Sequence, residues 1–337
     1  MPCGAGPHAA AGGQTLKILL VNNPTAGRGD ARLYDYVREL NTRGAEVMLR
    51  SIGDGRTLEH ALRDAEDFDR VVTAGGDGTA SAASYILRDS GIPLLPYPAG
   101  TANLLAMNLR IPLEPVRCAE TTLEGKLVRV DLGELNYRRE QRPPDGIERR
   151  RAARALPRTR MGFAIMAGAG FDATIMEGAQ SLKSQIGAGA YLVAAVQNME
   201  PQMARITLEL DGKTVETEGS AVLLVNFARI QFDITVTHDS DAQDGLLEVV
   251  VIKARHMTEL LPVVMAAWLD RIITYPDRSQ ALETYKARKV EIACDPPLPL
   301  QSDGDLLGGV TPLSGRVLPK AATFVVPVSA ELPGVDE

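Results

Sequence analysis

Lys17-Ile18-Leu19-Leu20-Val21 is an apolar run that stops at Asn22-Asn23-Pro24, the pattern of a strand buried on both faces that ends in a loop. Leu33, Tyr36, Val37 and Leu40 then recur at helical spacing, with Asp30 placed as N-cap and Gly44 as C-cap. Val47-Met48-Leu49 predicts the next strand, residues 57–66 a helix with Leu58, Ala61, Leu62 and Ala65 inward, and Arg70-Val71-Val72-Thr73 a third strand. A helix over 79–87, a strand over 92–97 and helices over 102–109 and 115–124 continue the alternation. Alternating strands and helices predict a doubly wound parallel sheet with right-handed crossovers.

From Lys126 the pattern changes to short β-rich runs over 127–132, 205–210, 221–227, 234–237, 246–252 and 290–293. The turn pairs Asp211-Gly212, Asp244-Gly245 and Asp303-Gly304 separate them. The expected organisation is therefore α/β plus all-β: a disordered leader over 1–14, an α/β domain over 15–130, an antiparallel β-sandwich over 131–328 and a tail over 329–337. Two helices, over 178–199 and 257–274, are expected as insertions in the sandwich. No internal repeat with a period of 20–50 residues is visible.

Composition narrows the function classes. A chain of 337 residues with 45% hydrophobic and 23% charged residues can bury a core, so disordered, collagenous and coiled-coil classes are excluded. Only 4% of residues are aromatic and the net charge is −7, which argues against a nucleic-acid partner. The charge is uneven: the segment 138–160 carries nine arginines and three acids, +6 in all, leaving −13 for the rest. This basic insert is read first as a solvated hairpin extension, and as a foothold on anionic lipid if it acts. Cys3, Cys118 and Cys294 have no metal or disulfide spacing, which suits a reducing, cytoplasmic setting. No apolar run reaches the ~20 residues of a membrane span.

The chemistry lies in loops at strand ends. Gly75-Gly76-Asp77-Gly78-Thr79 follows one strand and opens a helix, so backbone N–H groups and a helix N-terminus can meet an anion. Asp77 is too acidic to touch phosphate and is read as holding Mg²⁺ through water or orienting the nucleotide. Asn23, Pro24, Thr25, Ala26 and Gly27, followed by Arg28 and Gly29, offer a second phosphate cradle after the first strand. Pro98-Ala99-Gly100-Thr101-Ala102-Asn103 follows the fourth strand, with Thr101 and Asn103 also eligible as helix N-caps. Three such loops on the carboxyl edge of one parallel sheet point to a ligand site. None is a Walker A or GxGxxG sequence, which disfavours P-loop nucleotidases and Rossmann dehydrogenases.

Together these three loops resemble the diacylglycerol kinase catalytic-domain family, which includes bacterial lipid kinases, sphingosine kinases and ceramide kinases. Gly168-Ala169-Gly170-Phe171-Asp172, Asp244-Gly245-Leu246-Leu247 and Asp303-Gly304-Asp305 extend the resemblance to about residues 17–327. It implies an ATP- and Mg²⁺-dependent lipid kinase with nucleotide in the cleft between two domains. Asn23, Pro24, Thr25, Ala26, Gly27, Gly75, Gly76, Asp77, Gly78, Thr79, Thr101 and Asn103 would then be the ATP side of the site. Asp244 and Leu246 match a structural metal site of bacterial members, with Asp241 at its third position. The implied partners are a lipid acceptor and the inner face of an anionic membrane, with a homodimer open as an assembly.

Two positions depart from the family pattern. Asp305 stands where the family carries the Glu proposed as proton acceptor, which shortens the side chain by a methylene, roughly 1.5 Å. Asp303 is then an alternative base. Leu104 stands where many members carry Asp, removing a carboxylate from the nucleotide side. In-line attack of an acceptor hydroxyl, charge spread over the loops and Mg²⁺, and proton transfer to a carboxylate would make Asp305, Asp303 and Asp77 the catalytic set. Two other functions stay open at this point: a NAD-kinase-like enzyme with a small acceptor, and a catalytically impaired nucleotide- or lipid-binding regulator. His8, His60, His238 and His256 are scattered and carry no assigned chemistry.

Overall fold

The computed structural model describes residues 15–26, 31–139, 158–170, 202–227, 229–230, 234–235, 241–253 and 282–332. The first half runs β1 (Lys17–Asn22), α1 (Arg32–Thr42), β2 (Glu46–Ser51), α2 (Leu58–Ala61), β3 (Arg70–Gly75), α3 (Asp77–Ile86), β4 (Pro93–Pro98), α4 (Leu104–Asn108) and α5 (Pro115–Glu124). β1 to β4 are mutually parallel in the order β2-β1-β3-β4. Ile18 to Val21 are fully buried, as a strand covered on both faces requires. The winding reverses between β1 and β3, which opens the carboxyl ends of these two strands as a crevice.

Two helices are shorter than the hydrophobic period suggests. The span expected as 57–66 breaks into α2 and a 3₁₀ turn at Ala65–Asp67. There the Arg50 guanidinium takes up the Ala61 carbonyl and the Asp64 carboxylate, closing the helix early. The span expected as 102–109 begins only at Leu104, because Asn103 adopts a left-handed backbone, φ 53°. Asp30, the leader, the basic run 140–157 and the helices expected over 178–199 and 257–274 lie outside the described residues.

The second half runs β5 (Lys126–Arg138), β6 (Arg158–Phe163), β7 (Met166–Ala169), β8 (Ala204–Leu210), β9 (Lys213–Gly219), β10 (Ala221–Val225), β11 (Arg229–Ile230), β12 (Ile234–Thr235) and β13 (Leu247–Ile252). It closes with β14 (Leu282–Ala287), β15 (Lys289–Asp295), β16 (Pro299–Ser302), β17 (Asp305–Val310) and β18 (Leu313–Val326). One antiparallel sheet has the order β14-β13-β10-β7-β16-β17. It shares a core with β8, β15, β18 and β5, where Val222, Leu224 and Val249 meet Ile206, Leu208, Val290 and Leu135.

β18 joins the two halves. β18 pairs with β4 in parallel at Thr323 and Phe324, and with β5 antiparallel from Leu313↔Tyr137 to Val326↔Lys126. The pairing shifts between Leu318 and Ala322, which accommodates Pro319 where a regular ladder would need its missing N–H. A single ten-stranded sheet therefore runs from the parallel layer into the sandwich. β5 and β6 form an antiparallel hairpin with Arg138 opposite Arg158, so the ends of the basic run meet at its mouth.

Candidate active site

The loop after β1 and the loop after β3 are tied together at the crevice. Asn23 N–H donates to Ala74 O at 2.8 Å, and Asn23 Nδ2 donates to Thr79 Oγ1 at 2.9 Å. Asn23 Oδ1 in turn accepts from Thr25 N at 3.2 Å and Thr25 Oγ1 at 2.7 Å, a closed Asx turn over Pro24. Ala26 N–H bonds the Asn23 carbonyl, and Gly27 lies outside the described residues. The third loop packs on the second glycine to glycine: a Cβ on Gly100 would sit 2.7 Å from the Gly76 Cα and 3.3 Å from Gly75 O. A Cβ on Gly75 would meet Thr79 at 2.8 Å. Gly76 itself faces open space, with nothing within 4 Å of where its Cβ would stand, and this opening at the α3 N-terminus is the hollow the loops border; the first-turn N–H groups there suit an anion.

Asp77 begins α3, but one oxygen of its carboxylate faces the next helix. Oδ1 accepts from Leu105 N at 2.9 Å, so Asp77 caps α4 in place of the local residues. Asn103, expected as that cap, instead closes its own loop: Oδ1 accepts from Gly100 N at 2.8 Å and Nδ2 donates to Gly100 O at 3.0 Å. Thr101 stays exposed at the tip of this loop. Burial pushes the Asp77 carboxyl above its usual range, the N–H groups of Leu105, Leu104 and Asn103 oppose that, and the Asp305 charge adds to it.

The turn at Asp303-Gly304-Asp305 brings the sandwich to this hollow. Asp303, at φ 46°, is held by four donors: Ile165 N and Met166 N on Oδ1, both at 3.0 Å, and Ser81 Oγ and Ala164 N on Oδ2. Burial pushes its carboxyl up to about 6 against these bonds. Asp305 is exposed beside the start of α3, where a Cβ on Gly78 would lie 2.8 Å from its Oδ2.

Asp241, Asp244 and Leu246 share one loop that is bonded to β5. Asp241 Oδ1 accepts from Gln243 N at 2.7 Å, and Asp244 Oδ1 accepts from Leu246 N at 2.8 Å. Asp244 Oδ2 lies 3.1 Å from Lys286 Nζ. The fully buried Asp131 supports the loop, accepting from Gly245 N at 2.7 Å and Lys320 N at 2.6 Å. Burial raises its carboxyl, and the charges of Asp244 and Asp241 raise it further. Carboxylate and carbonyl oxygens in a locally negative setting are the donors a hard cation takes. Among the described residues no group of three or more His, Cys, Asp or Glu is placed to hold an ion, so backbone carbonyls would have to complete the shell.

Ser81, Asp131 and Glu134 stood out in no motif, yet all three hold site elements. Ser81 lies four residues after Asp77 and so on nearly the same helix face, a faint signal beside the ordinary use of Ser in helices. Asp131 and Glu134 lie in a strand whose neighbours are apolar, and a buried acid there is legible only once its partners are known.

The diacylglycerol kinase catalytic domain model matches residues 17–135, and the YegS C-terminal NAD kinase beta sandwich-like domain model matches residues 165–326. A diacylglycerol kinase of Mycobacterium tuberculosis is 25% identical over 86% of this chain and 88% of its own length. A probable lipid kinase YegS-like protein of Yersinia enterocolitica is 25% identical over 94% of this chain and 99% of its own. A crystal structure of a diacylglycerol kinase from Bacillus anthracis superposes with a TM-score of 0.65 at 19% identity, covering 94% of this chain and 98% of the other, a likeness of fold.

Proposed function

The chain belongs to the diacylglycerol kinase catalytic-domain family, a phosphotransferase family with an alcohol group as acceptor, and from that premise we propose that it transfers the γ-phosphate of ATP to a lipid hydroxyl with Asp305 as the base. The observation that carries this reading is the contact of the Asp305 carboxylate with Gly78, in the first turn of α3. An anion in the Gly75, Gly76 and Gly100 hollow would then have a carboxylate at its flank, where an attacking hydroxyl can lose its proton.

Within this proposal the geometry supports a role for each residue. The Gly76, Asp77 and Gly78 backbone would bind phosphate oxygens at the helix start, where Thr79 N–H already donates to Gly76 O at 3.1 Å. Asn23 ties the β1 loop to Thr79 and keeps the hollow open. Thr101 and Asn103 would contribute from the third loop, which Asn103 closes onto Gly100. Asp303, saturated by four donors, places the turn, and Asp305 takes the proton. Asp77 and Asp305 repel one another through space, a charge arrangement that Mg²⁺ carried by the nucleotide would relieve. When bound, that ion offsets charge on the transferring phosphoryl group. Asp241, Asp244 and the Leu246 carbonyl would hold a second, structural ion away from the chemistry.

The acceptor is proposed to come from a membrane, met peripherally through the basic run whose ends meet at Arg138 and Arg158. Among the described residues no helix is long and apolar enough to cross one. The deciding experiment offers labelled ATP with diacylglycerol, sphingosine, ceramide and phosphatidylglycerol. Transfer to one of them supports the reading. ATP binding without transfer to any would favour a regulator, and transfer to a water-soluble alcohol alone would favour the NAD-kinase-like alternative.

A further inference from the structure

Gly78, Ser81 and Tyr85 lie at helical spacing on one stripe of α3, and each meets the sandwich at a different point. Gly78 meets Asp305, and Ser81 donates to Asp303 while accepting from Ala164 N at 2.7 Å. Tyr85 donates from its hydroxyl to Glu134 Oε2 at 2.6 Å, and its ring lies against Gly162, where a Cβ would come within 2.2 Å. Glu134 is buried, and its other oxygen accepts from Arg316 Nε at 2.8 Å. Burial alone would push the Glu134 carboxyl up, but the bonds from Tyr85 and Arg316 hold it below its ordinary value. The Arg88 guanidinium lies over the Tyr85 ring, 4.2 Å from its centroid.

We propose that Tyr85 is a positioning residue for phosphoryl transfer: through Glu134 it locks the distal end of α3 to the sandwich and so fixes the angle at which Asp305 meets the nucleotide loop. Tyr85 is eight residues beyond Asp77, about 12 Å along the helix, and touches no reacting atom. With Ser81 as the near attachment and Tyr85 as the far one, α3 cannot rock against the sheet. Freed at Tyr85, it pivots about Ser81, and a displacement of the base loop of about 1 Å suffices to slow transfer severely. The inference rests on Asp305 as the base, and the experiment separates the two.

Steady-state kinetics of the full chain would use labelled ATP and whichever of dioleoylglycerol, sphingosine or ceramide in mixed micelles the wild type turns over. Tyr85→Phe keeps the ring on Gly162 and removes only the hydroxyl. Its kcat should fall about fivefold to tenfold while the KM for ATP stays within about twofold, as loss of one hydrogen bond felt at the base loop predicts. Glu134→Gln leaves one oxygen for two donors, Tyr85 and Arg316, and should lower kcat in the same direction as Tyr85→Phe. Hydrogen exchange, which needs no acceptor, should quicken at residues 303–306 in Tyr85→Phe and stay unchanged in β1 and β3. Wild-type kcat or unchanged exchange at 303–306 in Tyr85→Phe would overturn the brace. Asp305→Asn inactive beside a fully active Tyr85→Phe would leave the base standing and remove only Tyr85. An active Asp305→Asn would remove the base reading itself.

Discussion

Asp305 rests its carboxylate against Gly78 so closely that a Cβ at Gly78 would lie 2.8 Å from Oδ2. The contact joins a residue of the last third of the chain to the first turn of α3. The turn brings this short side chain up to the helix, where the proposed base is needed. Asp305→Asn should therefore cost about 10² to 10⁴ in turnover with the melting temperature unchanged, measured by labelled phosphate transfer. Asp305→Glu should lower activity rather than raise it, since the added methylene has α3 in its way. Full activity in Asp305→Asn would remove it from the mechanism.

Gly100 faces the Gly76 backbone as well as the Asn103 side chain. Its substitution by Ala would place a Cβ 2.7 Å from the Gly76 Cα, so one loop must give way. The expected result is a loss of about 1–3 kcal/mol of stability together with weakened ATP binding, read by thermal melting with and without nucleotide. Stabilisation by ATP equal to that of the wild type would show that the two loops do not form one hollow.

Asp303 should give stability a pH dependence. Its folded carboxyl titrates near 6, above the ordinary value of 3.8, so between those values the folded state binds more protons than the unfolded one. Its contribution is then present below about pH 4 and lost as pH rises through about 6, up to about 3 kcal/mol. Asp303→Asn should flatten the melting temperature across pH 4 to 6 while lowering it at pH 7, because an amide cannot accept from all four donors. An unchanged slope would assign the dependence to another group.

Removing residues 142–157 takes five arginines and two acids out between strands that already meet at Arg138 and Arg158. The shortened hairpin should fold, and binding to anionic vesicles should weaken by more than tenfold, at ~1 kcal/mol per basic residue near the surface. Activity on detergent-dispersed acceptor should be spared. Equal vesicle binding in a sedimentation assay would refute the foothold.

The parallel layer and its three loops were legible in the sequence because both rest on local signals. Apolar runs buried on two faces and glycines at strand ends announce themselves within a few residues, and Asn23, Gly75, Gly76, Gly78 and Gly100 stand together as their spacing suggested. What the carboxylates do was decided by contacts across long separations. Asp77 caps a helix that begins 27 residues later, Asp303 is saturated by a hydroxyl 222 residues earlier and three amides about 138 earlier, and Asp131 braces a loop 114 residues away. Asn103 is the reverse case, a residue eligible to cap α4 that the left-handed turn diverts onto Gly100. A carboxylate's role depends on how many donors reach it and how much water it keeps. Both follow from the packing of α3 against β3, β6 and β18 and from the way β18 carries the parallel layer into the sandwich, which no short stretch of sequence encodes.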